Sequence, residues 1–319
     1  MNIPHKKTAG KIFLILAIVY VIISLGVGIY VSESFSFPRF YSTEYTIQDG
    51  LKKGEFDRAF VDLPWTVFRV KSPHGYELEG VSLPGKNGRT MIFCHGHTWT
   101  WYGMAKYMRP FIKEGWNVVA YDHRSHGQSS GSGVTGGYLE KHDLARVVDW
   151  VMKRFPDTRL LGAFGESMGS STILQYLPLD SRLDLAIADC PYSDLAELLN
   201  YQMKINYIPA VFRPAALAVA RIYFRVRPGF PLSRVSPEKE ILEGDASLLL
   251  IHGSADHLVP TSMSQRMYAM RKDRYHTELF IQEGASHAKS LAADPDLYMR
   301  RVRAFIRTAE RVRTGGRPR

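Results

Sequence analysis

The chain has 319 residues, too many for a minimal domain and suited to one large α/β domain or two small ones with ample length to bury a core. It carries 41 lysines and arginines against 31 aspartates and glutamates, a formal net charge of +10, with arginines concentrated from Arg300 to Arg319. Its two cysteines, Cys94 and Cys190, have no metal-ligand spacing and read as buried thiols, so cysteine usage leaves the redox compartment open.

Ile12 to Val31 is a run of twenty residues without charge, preceded by Lys6, Lys7 and Lys11 and followed by Glu33. Twenty apolar residues match the hydrocarbon thickness of a bilayer, and leading lysines favour a cytoplasmic N-terminus. The expectation is a signal-anchor: residues 1–11 cytoplasmic, 12–31 a transmembrane helix, and a single-pass protein of the cell membrane with its catalytic domain extracytoplasmic. A cleaved signal peptide is the alternative, but Ile29 to Ser34 offers no convincing small-x-small cleavage site. Residues 32–64 read as a polar and aromatic stalk with a short helix around Thr46 to Phe60.

From Trp65 the pattern alternates. Thr66 to Lys71 and Tyr76 to Leu83 flank a Pro-His-Gly turn and predict an antiparallel hairpin. Short apolar strands then alternate with helices: Thr90 to Cys94, Asn117 to Tyr121, Arg159 to Phe164, Leu185 to Cys190, Ser247 to Ile251 and Glu278 to Gln282. The clearest helix follows Leu139, where Leu144, Val147, Val148, Val151 and Met152 share one face and Pro156 stands just past the end. This order predicts an α/β fold with a mostly parallel sheet covered by helices on both faces, and ligands at the carboxyl ends of its strands.

Reactive residues cluster at those ends. Gly165-Glu166-Ser167-Met168-Gly169 follows a strand and opens a helix, a turn that lifts a serine clear of the sheet and aims a helix N-terminus at developing negative charge. Asp256 and His287 lie in loops after two later strands. A serine hydroxyl needs a base to attack at neutral pH, and a histidine held by a carboxylate supplies it. Ser167 is therefore the candidate nucleophile, His287 the base and Asp256 its orienting acid. Asp122 and Arg124 read as braces of neighbouring loops, His95 as structural, and His252, at a strand end, as a packing residue. No histidine pair has the i, i+4 spacing of a zinc motif, and the chemistry requires neither metal nor cofactor.

The order Ser, Asp, His belongs to the α/β-hydrolases. From about Trp65 to Ala309 the chain resembles that superfamily, and is most similar to its bacterial membrane-anchored branch with serine-aminopeptidase-like and dienelactone-hydrolase-like domains. The matching residues are His95-Gly96, Tyr121 to Ser129, Gly165 to Gly169, Gly253 to Pro260 and Ser286-His287. The resemblance implies an α/β-hydrolase domain at 65–310, a small helical cap at about 192–240, and an oxyanion hole made by the backbone amides of Met168 and His97. The chain departs from many relatives in placing His97 where they have Asn or Gly, which leaves the amide in place.

The expected function is a serine hydrolase that cleaves a carboxylic ester or thioester through an acyl-enzyme. A peptidase or acyl-aminoacyl hydrolase with the same triad is the alternative, and a non-catalytic membrane-anchored binding protein is the reading from another class. The partners expected are a small acyl ester or peptide substrate and the membrane, with no nucleic acid. In the cap, Tyr201, Met203, Ile205, Tyr207, Ile208, Val211, Phe212, Ile222, Tyr223 and Phe224 make the entrance apolar and suit acyl chains. The last helix buries Tyr298, Val302, Phe305, Ile306 and Ala309, leaving its arginines solvated, before a basic tail at 311–319. These bases suit anionic headgroups.

Overall fold

A computed structural model describes residues 4–314, with side chains from 8 to 313. Helix α1 (Pro4–Ser36) is continuous, since no proline or charge interrupts the run from Ile12 to Val31. Its 33 residues extend about 50 Å, beyond the ~30 Å of a bilayer's hydrocarbon. Thr8–Ser36 is the one segment among the described residues that is long and apolar enough to cross a membrane.

α2 (Thr43–Lys53) starts at Ser42, whose hydroxyl accepts from the Tyr45 amide, and ends at Gly54 in the left-handed region. α3 (Arg58–Val61) follows. The stalk expected at 32–64 is corrected here: Phe56 and Phe60 are buried in the core with Trp101 and Tyr102. The aromatic residues that marked the stretch as unusual are the ones that dock it.

Strands β1 (Thr66–Lys71), β2 (Glu77–Leu83), β3 (Arg89–Cys94), β4 (Asn117–Tyr121), β5 (Leu160–Glu166), β6 (Leu185–Asp189), β7 (Ser247–Gly253) and β8 (Thr277–Gln282) form one sheet. Its order is β1-β2-β4-β3-β5-β6-β7-β8. β1–β2 and β2–β4 pair antiparallel, and the others parallel. Every residue of β5 is buried, as a strand covered on both faces requires.

One face carries α4 (Ala105–Lys113), through Tyr107, Met108 and Phe111; the other carries α5 (Glu140–Arg154) and α6 (Met168–Tyr176). The chain between β6 and β7 leaves the sheet as α7 (Leu195–Ile205), α8 (Arg213–Val226) and α9 (Pro237–Glu240), a helical cap with its own apolar cluster around Leu195, Phe224 and Phe230. Val31 and Phe35 of α1 pack against that cluster. α10 (Thr261–Arg271), α11 (Ser290–Ala293) and α12 (Pro295–Thr314) complete the chain. α12 buries its apolar stripe beside α4 and continues through the first residues expected as tail. Residues 315–319 of that tail, and 1–3 of the N-terminal segment, lie outside the described residues.

Candidate active site

At the end of β5 the chain turns into α6 through Ser167, at φ 53° and ψ −115°. A non-glycine residue there stores backbone strain, of order 1–3 kcal/mol. Hydrogen bonds hold it: the Ser167 amide donates to Asp189 O at 2.8 Å, and the Ser171 amide to Ser167 O at 3.0 Å. The flanking residues must lack a side chain. A Cβ on Gly165 would lie 2.4 Å from Ser170 N, and one on Gly169 2.1 Å from Cys94 O. Met168 opens α6, and a first-turn amide has no acceptor within its own helix.

Loops from three strands bring the sequence-predicted side chains together. Ser167 Oγ lies 3.0 Å from His287 Nε2, and His287 Nδ1 lies 2.7 Å from Asp256 Oδ2. The carboxylate accepts, so Nδ1 carries the proton and Nε2 is free to accept from the serine hydroxyl. Asp256 Oδ1 accepts from the amides of Leu258 and Val259 at 2.8 and 2.9 Å. Burial opposes ionisation of Asp256, but hydrogen bonds from His252 and His287, the charge of His287 and the Val259 amide outweigh it. They hold the carboxyl well below its ordinary range.

His252 is the residue sequence reasoning missed. It is buried, its Nε2 is 3.1 Å from Asp256 Oδ2 and 3.0 Å from Val259 O, and its Nδ1 is 2.7 Å from Ser264 Oγ. It packs, as expected, and it also supplies the acid with a second imidazole. The i, i+4 relation of His252 to Asp256 was the available signal.

His97 sits in the loop after β3. Its Nε2 donates to Phe35 O at 2.8 Å and its ring stacks on Phe35 at 5.2 Å. His95 is buried and accepts at Nε2 from the His123 amide at 2.9 Å, and Asp122 Oδ1 accepts from the Trp101 amide at 2.8 Å. Arg124 donates to Ser132 O. These three brace the loops around the site.

Behind the serine lies a buried polar network with no single sequence signature. Lys106 Nζ is 2.6 Å from Glu166 Oε2 and 3.3 Å from Ala288 O, joining the residues before Ser167 and after His287. The Tyr107 hydroxyl lies 3.0 Å from both Glu166 Oε2 and Asp189 Oδ2, with one proton to share between them, and Tyr298 donates to Asp189 at 2.8 Å. Burial, opposed by the Tyr298 hydrogen bond, pushes the Asp189 carboxyl up to about 6.

Cys190, Asp256 and His287 place ligand-type atoms within 4.8 Å of one another. Burial raises the Cys190 thiol well above its ordinary range and keeps it neutral, and both His287 nitrogens already face Ser167 and Asp256. The donor set therefore suits proton relay better than metal binding. Cys94 and Cys190 are both buried free thiols.

Beside Ser167, Met168 and His97 opens a cavity of about 460 Å³ with mainly apolar walls. Of the expected cap residues, Met203 and Ile208 line it, whereas Phe224 is buried in the cap and Tyr207 faces outward.

A family model described as the alpha/beta hydrolase fold matches residues 89–219. The Bacillus subtilis protein YqkD is 33% identical over 287 residues, spanning 88% of this chain and 92% of the relative. Among solved structures, the Pyrococcus furiosus esterase Pf2001 is similar with a TM-score of 0.65 at 25% identity, covering 80% of this chain and 95% of that one. The Pyrococcus horikoshii acylaminoacyl peptidase shares the fold, with a TM-score of 0.57 at 19% identity, over 78% of this chain and 42% of its own.

Proposed function

The chain belongs to the α/β-hydrolase family, and from that premise we propose a serine hydrolase that cleaves a carboxylic ester or thioester through an acyl-enzyme. The hydrogen-bonded line from Ser167 through His287 to Asp256, at 3.0 and 2.7 Å, carries the reading. Ser167 Oγ attacks the acyl carbon as His287 Nε2 takes its proton, and Asp256 stabilises the imidazolium. The oxyanion is received by the amides of Met168 and His97. The carbon–oxygen or carbon–sulfur bond then breaks, and the leaving group departs with the proton from His287. Water, deprotonated by the same imidazole, releases the acid and restores the serine.

The apolar cavity and the similarity to the Pyrococcus furiosus esterase favour an acyl ester over a peptide. We further propose that α1 anchors the protein in the membrane with the hydrolase domain outside the cytoplasm, because Lys6, Lys7 and Lys11 precede its apolar run. Protease accessibility on intact cells tests that sidedness.

The full chain in detergent, treated with a fluorophosphonate probe and p-nitrophenyl esters, tests the chemistry. Labelling and turnover should disappear in Ser167→Ala, with a loss on the order of 10⁴-fold or more. Labelling with turnover of aminoacyl p-nitroanilides alone would make it a peptidase. A folded chain that the probe never labels would refute the enzyme reading and leave a binding protein.

A further inference from the structure

Part of the cavity beside Ser167 is walled by α1. From Phe35 back to Gly26, about 13 Å of helix, the helix contributes Gly26, Val27, Tyr30, Val31 and Phe35 to the lining, opposite Met203 of α7. The contact is built in. Ser24, Gly28 and Ser32 are spaced four apart and buried, and a Cβ on Gly28 would meet Ala216 O and Val219 Cβ, both at 2.6 Å.

α8 runs antiparallel to α1. At one end Tyr20 stacks on Phe212 at 5.4 Å and its hydroxyl donates to Val211 O at 3.1 Å; at the other, Arg227 pairs with Glu33 at 3.2 Å.

These levels fix how deep the cap sits. Crossing ~30 Å of hydrocarbon takes about 20 helical residues. The apolar run starts after Lys11, and the stretch from Ile12 to Tyr20 rises only about 13 Å. A bilayer crossed by α1 therefore extends past Tyr20 and covers the tip of the cap. The tip has the surface for it. Tyr207 is 92% exposed and Val211 62%, while Lys204, Arg213 and Arg221 have stems long enough to carry their charges to headgroups. The cavity reaches the same level, since Gly26 and Ile208 are among its walls and Tyr30 beside them is 72% exposed.

We propose that the substrate is an amphiphilic acyl ester resident in the membrane, whose chain reaches Ser167 sideways from the bilayer along α1, so that the anchor is itself a wall of the substrate site. The ester chemistry rests on the hydrolase reading above; the chain site rests on the cavity and the depth of the cap.

Two measurements on the full chain in phospholipid nanodiscs test this separately from catalysis. In the first, Ser167→Ala is photolysed with a monoacylglycerol bearing a diazirine at its chain end. Adducts on the cavity-facing residues Leu199 and Met203 of α7 are expected. Adducts confined to the outer surface of α1, around Phe13 and Ile15, would overturn the proposal. In the second, Gly26→Leu is assayed against p-nitrophenyl esters from acetyl to palmitoyl. Gly26 is among the cavity's walls and nothing lies within 4 Å of a Cβ there, so a larger side chain has open space at the cavity's edge. The ratio of kcat/KM for long over short chains should fall at least tenfold, and an unchanged ratio would also overturn the proposal. A wild-type chain that forms the α7 adducts but turns over no ester would refute the hydrolytic reading while supporting the chain site.

Discussion

Replacing Lys106 by Met tests whether the buried network holds the two halves of the relay. The side chain is 14% exposed and its ammonium lies 2.6 Å from Glu166, itself 10% exposed. Burial lowers the affinity of Lys106 for its proton, but the charge of Glu166 outweighs it and raises the pKa above the ordinary value. Met fills much of the same volume, so the loss is mainly electrostatic: the Glu166 carboxylate keeps the Tyr107 hydroxyl and loses its counter-charge. Breaking a buried pair from one side costs about 3–5 kcal/mol. At roughly 2–4 °C per kcal/mol for a domain of this size, Tm should fall by about 6–20 °C. Glu166→Gln added to Lys106→Met removes the stranded charge and should recover most of the fall. The assay is a double-mutant cycle on the full chain in detergent, read by thermal unfolding with kcat measured alongside. Because Lys106 joins Glu166 to Ala288, kcat should fall in the single variant and stay low in the double, which lacks the same link even as its Tm recovers. A drop under 2 °C, or a double variant no better than the sum of its singles, would refute the reasoning.

Two further outcomes follow from buried carboxylates. His252→Phe removes one hydrogen bond that holds Asp256 low. The stability from Asp256 is present above its unfolded pKa near 4 and lost as pH falls through the folded value, so in the variant, whose folded value is higher, the contribution is smaller and its loss is complete at a higher pH. A charge-assisted hydrogen bond contributes about 1.5–3 kcal/mol, so kcat should drop roughly tenfold or more with KM little altered. An unshifted acid transition would show that His252 only packs. Asp143 works in the opposite sense. Burial, opposed by hydrogen bonds from Ser72 and Tyr76, pushes its carboxyl up to about 7, so the fold binds a proton that the unfolded chain has released. Its contribution to stability is lost as pH rises from about 4 to about 7, by about 1.4 kcal/mol per unit of separation. Asp143→Asn should flatten that limb of the Tm profile, and an equally steep profile would rule out Asp143 as its source.

The eight strands were legible in local patterns, alternation in β1 and β2 and short apolar runs in most of the others, and Ser167, Asp256 and His287, which the structure brings together, stand just beyond strands β5, β7 and β8. What was not legible depends on contacts between distant segments. The stripe of Ser24, Gly28 and Ser32, spaced four apart in an otherwise apolar run, is visible in the sequence of α1, but nothing local names α8 as the element packed against it. Phe56 and Phe60 gave no hint of docking until Trp101 and Tyr102 were placed beneath them. His252 meets Asp256 only once the loop from Ser254 to Val259 curls back over the end of β7. Lys106, Asp189 and Tyr298 come from three elements, and nothing local links them.

The hydrogen bond from His97 to the Phe35 carbonyl makes α1 hard to transplant. A membrane helix that only tethers its cargo can be exchanged for any stretch of similar length and greasiness. Here the final turns of α1 hold the loop that carries His97, and Tyr41 donates to Thr98 of the same loop at 2.9 Å. Exchanging residues 12–25 should therefore be tolerated far better than exchanging 26–41, and a shortened chain that begins after the helix would be a different catalyst, not a soluble copy of this one.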